Sequence, residues 1–248
     1  SRAVGTAGTT PFGSNFDLIA DARKILADNG CPLADLSLIV DTNAGAKLRK
    51  LTSLYKVNES GSDSLLRRGE LMELLGFTIK ESAQVALHTK GTGAGYLSDL
   101  VAGYNAGDKT VHVDTGTGTI LAGDVLAFES DSNAYVCGSG FAGDGDGDIS
   151  INAPGLRAAL ANNKTVTIGD SYTANVAFQK NAIELAMRAP AQPFGGDAAY
   201  DRMTLSDDKT GMAFDVALYK GYGMNIYDIT CFYGVKVWKP DFVATIMG

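Results

Sequence analysis

Three features of the sequence predict a mixed α+β fold. One amphipathic helix near the amino end has both ends marked, short β-prone runs alternate with turn residues through the middle, and long alternating runs lie near the carboxyl end. The 30 glycines, many in segments rich in Thr, Val and Asp, favour short strands joined by tight turns over a helical bundle. A chain of 248 residues, 45% of them apolar, has the material for a real core in one large domain or two small ones.

In chain order, Ser1 to Gly13 is small and polar and ends in Pro11-Phe12-Gly13, the composition of a loop or linker leading from something upstream. From Ser14 the helix begins. Leu18, Ile19, Ala22, Ile25 and Leu26 share one face of a 3.6-residue period, and Asp21, Arg23, Lys24 and Asp28 lie opposite. Ser14 and Asp17 stand close to a capping-box spacing, and Gly30 and Pro32 supply the stop. Leu36–Val40 reads as a buried strand. Asn43 to Lys56, with Ala46, Leu48, Leu51 and Leu54 on one side, predicts a second amphipathic helix. Residues 58–64 are a turn-rich loop, Leu65 to Gly76 continues as helix or loop, and Phe77 to Val85 opens with the alternation of a half-buried strand.

The texture changes near Thr89. From Lys90 to Asp170 the chain is Gly-rich and acidic, with β-prone runs at Thr110–Val113, Asp124–Phe128, Ala134–Cys137, Asp148–Ile151 and Lys164–Ile168. Closely spaced turn signals between them predict a small barrel or sandwich, with a helical turn or two at Pro154–Ala161. Because the texture on either side is alike, residues 90–170 are expected to be an inserted β domain, and 1–89 with 171–248 a discontinuous core.

After Ala174 helical spacing returns: Ala177, Phe178, Asn181, Ala182, Leu185 and Ala186 share a face, ended by Arg188-Ala-Pro190. Gln192 to Asp201 reads as loop. Met203–Leu205 and Met212–Tyr219 are expected to pair as a hairpin across the turn at Asp207–Gly211. Tyr227 to Trp238 reads as one long strand with Ile229, Cys231, Tyr233, Val235 and Val237 on a common face, stopped by Pro240.

Chemistry-bearing motifs are thin. With 21 basic and 28 acidic side chains the formal charge of −7 gives no electrostatic reason for tight nucleic-acid binding. Asp144-Gly-Asp146-Gly-Asp148 opens like a calcium loop, but Ile149 and Gly155 stand where the glycine and the bidentate glutamate belong, so a solvated acidic turn is expected. Gly91-Thr-Gly93-Ala-Gly95 resembles part of a dinucleotide loop without its strand and helix, and reads as a connection. His88 and His112 sit in no nucleophile or metal motif, Ser171-Tyr172 and Gly221-Tyr-Gly223 have no accompanying base, and Asp207 and Asp208 face water in a turn. Cys31, Cys137 and Cys231 are too far apart in sequence for zinc spacing and read as buried free thiols. No run approaches the ~18 apolar residues of a membrane span, and no charged-then-apolar signal pattern opens the chain. No catalytic, cofactor or metal residue is assigned, and no membrane partner is expected.

The order of many short segments carries a resemblance. Ala177-Phe-Gln-Lys-Asn-Ala-Ile-Glu-Leu-Ala-Met-Arg-Ala-Pro190, Met203-Thr-Leu205, Gly211-Met-Ala-Phe-Asp-Val216 and Val235-Lys-Val-Trp-Lys-Pro240 resemble the carboxyl-terminal part of coat proteins of short-tailed bacteriophages and related prophages. Val4-Gly-Thr-Ala-Gly-Thr-Thr-Pro-Phe-Gly13, Ala22-Arg-Lys-Ile-Leu26, Gly76-Phe-Thr-Ile-Lys-Glu-Ser82, Gly118-Thr-Ile-Leu-Ala-Gly-Asp-Val125 and Asn152-Ala-Pro-Gly-Leu-Arg157 are similar to the same family.

That resemblance implies the tailed-phage major capsid (Hong Kong 97-like) fold with an inserted all-β barrel. Phe16–Asn29 would then be the spine helix of the peripheral domain, Tyr227–Trp238 a strand of its long sheet, and Ala174–Pro190 part of the axial domain that gathers subunits into pentamers and hexamers. It also implies a virion location, assembly in a bacterial cytoplasm, scaffolding-protein and portal partners, and weak non-specific contact with packaged double-stranded DNA. Family members carry an extended arm and a long β-hairpin loop before the point matching Ser1, and without them this chain is expected to be monomeric or weakly associated at micromolar concentration. The alternative function is a β-rich ligand- or carbohydrate-binding surface protein using exposed aromatics of the barrel. An enzyme, the third reading, needs a pocket that gathers His88 or His112 with carboxylates.

Overall fold

The computed structural model describes residues 3–55, 73–192, 194–208 and 211–248. After β1 (Ala3–Val4) comes α1 (Asp17–Asp28), whose Ile19, Ala22 and Leu26 are wholly buried, as the 3.6-residue spacing requires. Its end follows the Schellman pattern: Gly30 N–H donates to Ala27 O, Cys31 N–H donates to Leu26 O, and Gly30 takes φ +74°. Its start differs from the predicted capping box. Phe16, not Ser14, occupies the N-cap position and has no capping side chain; Asn15 Oδ1 accepts from Asp17 N at 3.4 Å instead, and the Asp17 carboxylate in the first turn faces the helix dipole.

β2 (Leu36–Val40) falls where expected, with Leu36, Leu38 and Val40 buried. Burying a side chain such as Leu38 contributes about 1.5–3 kcal/mol. The second helix is shorter than its pattern. α2 (Thr42–Lys50) starts where Asp41 Oδ1 accepts from Ala44 N at 2.6 Å, and it stops because Leu51 turns extended to bury its side chain; α3 (Thr52–Tyr55) follows. The loop read at 58–64 and most of 65–76 lie outside the described residues. β3 (Glu73–Leu74), β4 (Phe77–Glu81) and β5 (Leu87–His88) complete this part, and β4 runs parallel to β2 with Phe77 beside Leu36.

The middle segment contributes β6 (Leu97–Ser98), β7 (Thr110–Gly116), β8 (Val125–Phe128), β9 (Ala134–Ser139), β10 (Gly145–Ile151) and β11 (Val166–Ile168). They pair in the order β11-β8-β9-β10-β7-β6, and the end strands meet: Leu97 bridges Thr165, Ser98 N–H donates to Lys164 O, and Val166 N–H donates to Tyr96 O. The sheet therefore closes into a six-stranded barrel around Tyr96, Val111, Val113, Leu126, Ile149 and Ile151. The Tyr96 ring lies against Gly116, where a Cβ would stand 2.3 Å from it, so only glycine fits there. No helix forms over 154–161. Leu156 and Leu160 turn inward instead, and Leu160 exchanges both backbone hydrogen bonds with Tyr104.

The carboxyl part forms β12 (Tyr172–Gln179), β13 (Ile183–Arg188), β14 (Asp201–Ser206), β15 (Ala213–Gly221), β16 (Met224–Thr230), β17 (Phe232–Val237), a 3-10 turn (Pro240–Phe242) and β18 (Val243–Met247). The helix predicted after Ala174 is two strands. β12 is flanked by β2 and β18, which pair with it from both sides, and that tertiary pairing overrides the helical propensity of its Ala and Gln. Buried Asn175 fits the same place, its Oδ1 accepting from Asp41 N at 2.8 Å and its Nδ2 donating to Ile246 O at 3.1 Å.

The main sheet runs β1-β18-β12-β2-β4-β3, with β5 added on β12, and α1 packs on β12 and β18. This corrects the partition implied by the resemblance. α1 belongs with the strand from the Ala174 region, while the Tyr227–Trp238 segment lies in other sheets and is broken at Cys231 into β16 and β17. Eighteen strands and three α-helices among the described residues make the chain β-rich. Among those residues no helix is long and apolar enough to cross a membrane.

Candidate interaction surface

Two small sheets, β13-β17 and β14-β15-β16, stand apart from the main sheet and the barrel. Antiparallel partners project to the same side, so register assigns each face. In the two-stranded ribbon Ile183 is opposite Val237, Leu185 opposite Val235 and Met187 opposite Tyr233, which makes one side wholly apolar. In the three-stranded sheet Met203, Val216 and Ile229 form one row, with Leu205 beside Phe214 and Leu218 beside Tyr227. These faces are partly open to solvent, with Ile183, Met187, Phe214, Val216 and Leu218 half-buried and their neighbours exposed. Tyr233 is 73% exposed, Tyr227 66%, Ile229 65% and Val235 64%, and most of the exposed large apolar side chains of the described residues fall between Leu185 and Trp238.

The opposite faces explain why these faces are the free ones. On the reverse of the three-stranded sheet, buried Asp215 accepts from Arg202 Nε at 2.7 Å, Arg202 also reaches Asp197 at 2.9 Å, and Tyr219 donates to the same Asp197 oxygen. The Asp215 hydrogen bond, with the charges of Asp215 and Asp197 behind it, holds the Arg202 pKa above its ordinary value. At the end of the apolar face, on the parity of Val216 and Leu218, Lys220 stacks over the Tyr200 ring at 3.2 Å. On the reverse of the ribbon, Trp238 Nε1 donates to Glu184 at 2.5 Å and Lys236 sits 4.1 Å from the Trp238 ring centroid. The ion pairs and side-chain hydrogen bonds thus lie on one side of each sheet, together with exposed Met224, Ile226 and Phe232, while the other side is mostly apolar and carries Asp201, Lys220 and Asn225 at its end.

The residues considered for chemistry are placed otherwise. Asp146 and Asp148 clasp His112, with Nε2 to Asp146 at 2.5 Å and Nδ1 to Asp148 at 2.6 Å, while Asp144 accepts from Gly118 N at 2.6 Å. Carboxylates on both ring nitrogens favour the imidazolium. The Asp148 hydrogen bond, with Asp146 adding its charge, raises the His112 pKa above its ordinary 6.5 despite some desolvation. Among the described residues no three His, Cys, Asp or Glu side chains are placed to hold a metal ion.

His88 Nε2 lies 2.8 Å from the carboxylate of Asp124, which also accepts from Gly91 N and Leu121 N and is fully buried. The structure thus gathers both histidines with carboxylates, yet neither lines the 560 Å³ cleft between Tyr135, Asn152 and Arg157 of the barrel side and Asn29, Asp241 and Thr245 of the core side. Gly91–Gly95 pairs with Thr117 and Thr119 and opens no helix. Ser171 accepts from Lys90 N, and Asp207 and Asp208 are exposed. Cys31 and Cys137 are buried, as expected, but Cys231 is only half-buried. Burial, with the Asp124 charge adding, pushes the Cys137 thiol up to about 11.

The Tyr227–Trp238 reading found the alternation but not the break at Cys231, which puts Ile229 in one sheet and Tyr233, Val235 and Val237 in another, and it missed that these residues are exposed. The available signal was that Met224 and Ile226 place hydrophobic side chains on the other parity of β16 as well, so no buried face is singled out there. No protein-family model and no curated protein matches the chain. Among solved structures, it is similar to a chain from Mycobacterium phage Che8, with 18% identity and a TM-score of 0.40 over 98% of this chain and 53% of that one. This chain thus spans about half the length of that phage chain.

Proposed function

We propose that this chain is a structural subunit of an icosahedral phage or prophage capsid, working through repeated contacts between copies rather than through catalysis. The observation that carries this reading is the exposed apolar side of β13–β17 and β14–β16. Monomeric proteins rarely leave so many large apolar side chains exposed on neighbouring strands, and such clusters mark association surfaces. The sequence resemblance supplies the finer identity: a major capsid protein with an inserted barrel, its subunits in pentamers and hexamers, with scaffolding protein and portal as further partners. Different patches meeting head to tail generate rings when the rotation closes, which suits two distinct apolar faces on one chain. A formal charge of −7 fits a shell that encloses double-stranded DNA with only weak contact.

The ligand-binding alternative finds no stacking platform on the barrel, because Tyr96, Tyr104, Phe128 and Tyr135 are buried in its core and half-buried Phe141 packs against the Tyr96 ring. Sedimentation velocity tests the proposal. At micromolar concentration the chain should associate weakly, association should grow with protein concentration and with excluded salts such as sulfate, and it should vanish in Val235→Lys. A chain that stays monomeric under all these conditions, or whose association survives Val235→Lys, would overturn the apolar faces as association surfaces and with them the observation that carries the reading.

A further inference from the structure

Where the chain passes between the barrel and the main sheet, the two are joined by a knot of side chains. The chain enters the barrel through Lys90-Gly91 and leaves it through Asp170-Ser171, and both crossings are tied to the start of β8. Gly91 N donates to both oxygens of Asp124, at 3.2 and 3.1 Å, and Leu121 N donates to one at 2.7 Å. These bonds hold Asp124 as an acceptor, so the His88 Nε2 at 2.8 Å is the protonated nitrogen and donates to it. His88 is on β5, part of the main sheet. Its ring packs on Tyr172 of β12 at 5.2 Å, and the Tyr172 hydroxyl donates to Gly123 O at 3.0 Å. Across the exit, Ser171 accepts from Lys90 N, and Lys90 Nζ lies 2.8 Å from Asp170. Gly123 itself has φ +98°, and a Cβ there would stand 2.9 Å from His88 Cε1, so the position admits only glycine.

We propose that the His88–Asp124 pair is a latch that fixes the direction in which the barrel leaves the main sheet. Buried Asp124 is satisfied within the barrel side by Gly91 and Leu121, which are sufficient to order its own loop. His88 is the one partner of this carboxylate that comes from the main sheet, among the described residues. The pair therefore adds little to the barrel's interior and much to its orientation. Two linkers alone allow the barrel to swing, whereas a charge-assisted hydrogen bond beside a ring contact sets one angle. In a subunit whose neighbours must meet it at fixed positions, that angle decides where the barrel projects.

Double electron–electron resonance on the full chain tests this, with nitroxides on Lys47→Cys in α2 and Lys109→Cys beside β7 in a Cys231→Ser background, diluted with unlabelled chain. The parent should give a single narrow distance. His88→Ala should lose it for a broad distribution while barrel signals in the amide NMR spectrum stay dispersed, and His88→Gln, whose amide N–H is able to donate to Asp124, should restore the narrow distance. An unchanged distance in His88→Ala would overturn the latch. So would collapse of the barrel spectrum in that variant, which would make the pair part of the barrel's stability, and so would failure of His88→Gln to restore the distance.

Discussion

The barrel and the carboxyl-terminal small sheets are written in the same alphabet, alternating apolar and polar residues, and end in opposite conditions. In β7 the residues Val111 and Val113 are wholly buried, and in β10 Ile149 and Ile151 are. In β17 Tyr233, Val235 and Val237 follow the same period and all are exposed. The difference is closure. The barrel's six strands wrap until Leu97 reaches Thr165, so every inward side chain finds a second wall in the same sheet. A two-stranded ribbon has no second wall, and isolated ribbons are marginal in water unless something covers them. Alternation in a sequence thus states that a face wants burial, and topology decides whether the chain itself provides it.

The sharpest way to break the comparison is to place a charge at matching positions. Ile149→Asp buries an unpaired carboxylate in the barrel and should cost several kcal/mol, melting the barrel in urea followed by circular dichroism. Val235→Asp should alter stability by no more than about 0.5 kcal/mol while removing self-association. If both variants unfold alike, the ribbon face is already covered within the chain.

Thiol chemistry should follow the same division with a smaller effect. Burial lifts the Cys137 thiol to about 11, so at pH 8 Ellman's reagent should modify half-buried Cys231 first and leave Cys137 until the protein unfolds. Equal rates would mean that the barrel opens as readily as the break between β16 and β17.

The smallest effect is a titration on the barrel's outer face. Because the folded-state pKa of His112 is raised, its interaction with Asp148 and Asp146 is fully present below about pH 6.5, the unfolded value, and is lost as pH rises through the folded value. An NMR titration of the imidazole should show a midpoint above 6.5, and Asp148→Asn should bring it down. A midpoint at or below the unfolded value would show that the two carboxylates do not hold the ring in solution.

Where burial is settled by near neighbours, the sequence was readable. The α1 face and its Gly30 stop, the Leu36–Val40 strand, and the Met203–Leu205 partner of β15 all follow from period and turn chemistry, and all lie where those rules place them. β12 and β13 were not readable. Their Ala, Gln, Lys, Glu, Leu and Met carry helical propensity, and β12 becomes a strand because β2 and β18, far away in the chain, claim both of its edges. The shortened α2 has a similar cause, since Leu51 leaves the helix to reach the core. The exposed faces were the least legible part of the candidate surface, because exposure depends on what does not pack against a strand, and no local pattern records that.

Asn175 carries one more consequence. Both polar atoms of its amide are partnered, Oδ1 by Asp41 N and Nδ2 by Ile246 O, one partner from each flank of β12. If β12 slid by a single residue against β2 and β18, its side chains would change faces, and the amide would lose both partners in a place without water. Each group so orphaned costs about 1–3 kcal/mol, whereas the apolar neighbours Val176, Ala177 and Phe178 would tolerate a slip far better. Asn175 acts in this way as a proofreader of the central sheet: it adds modestly to the correct alignment and penalises the wrong ones. Asn175→Val, close in size and free of polar atoms, should leave a sheet that still forms but recovers from denaturant into more than one alignment.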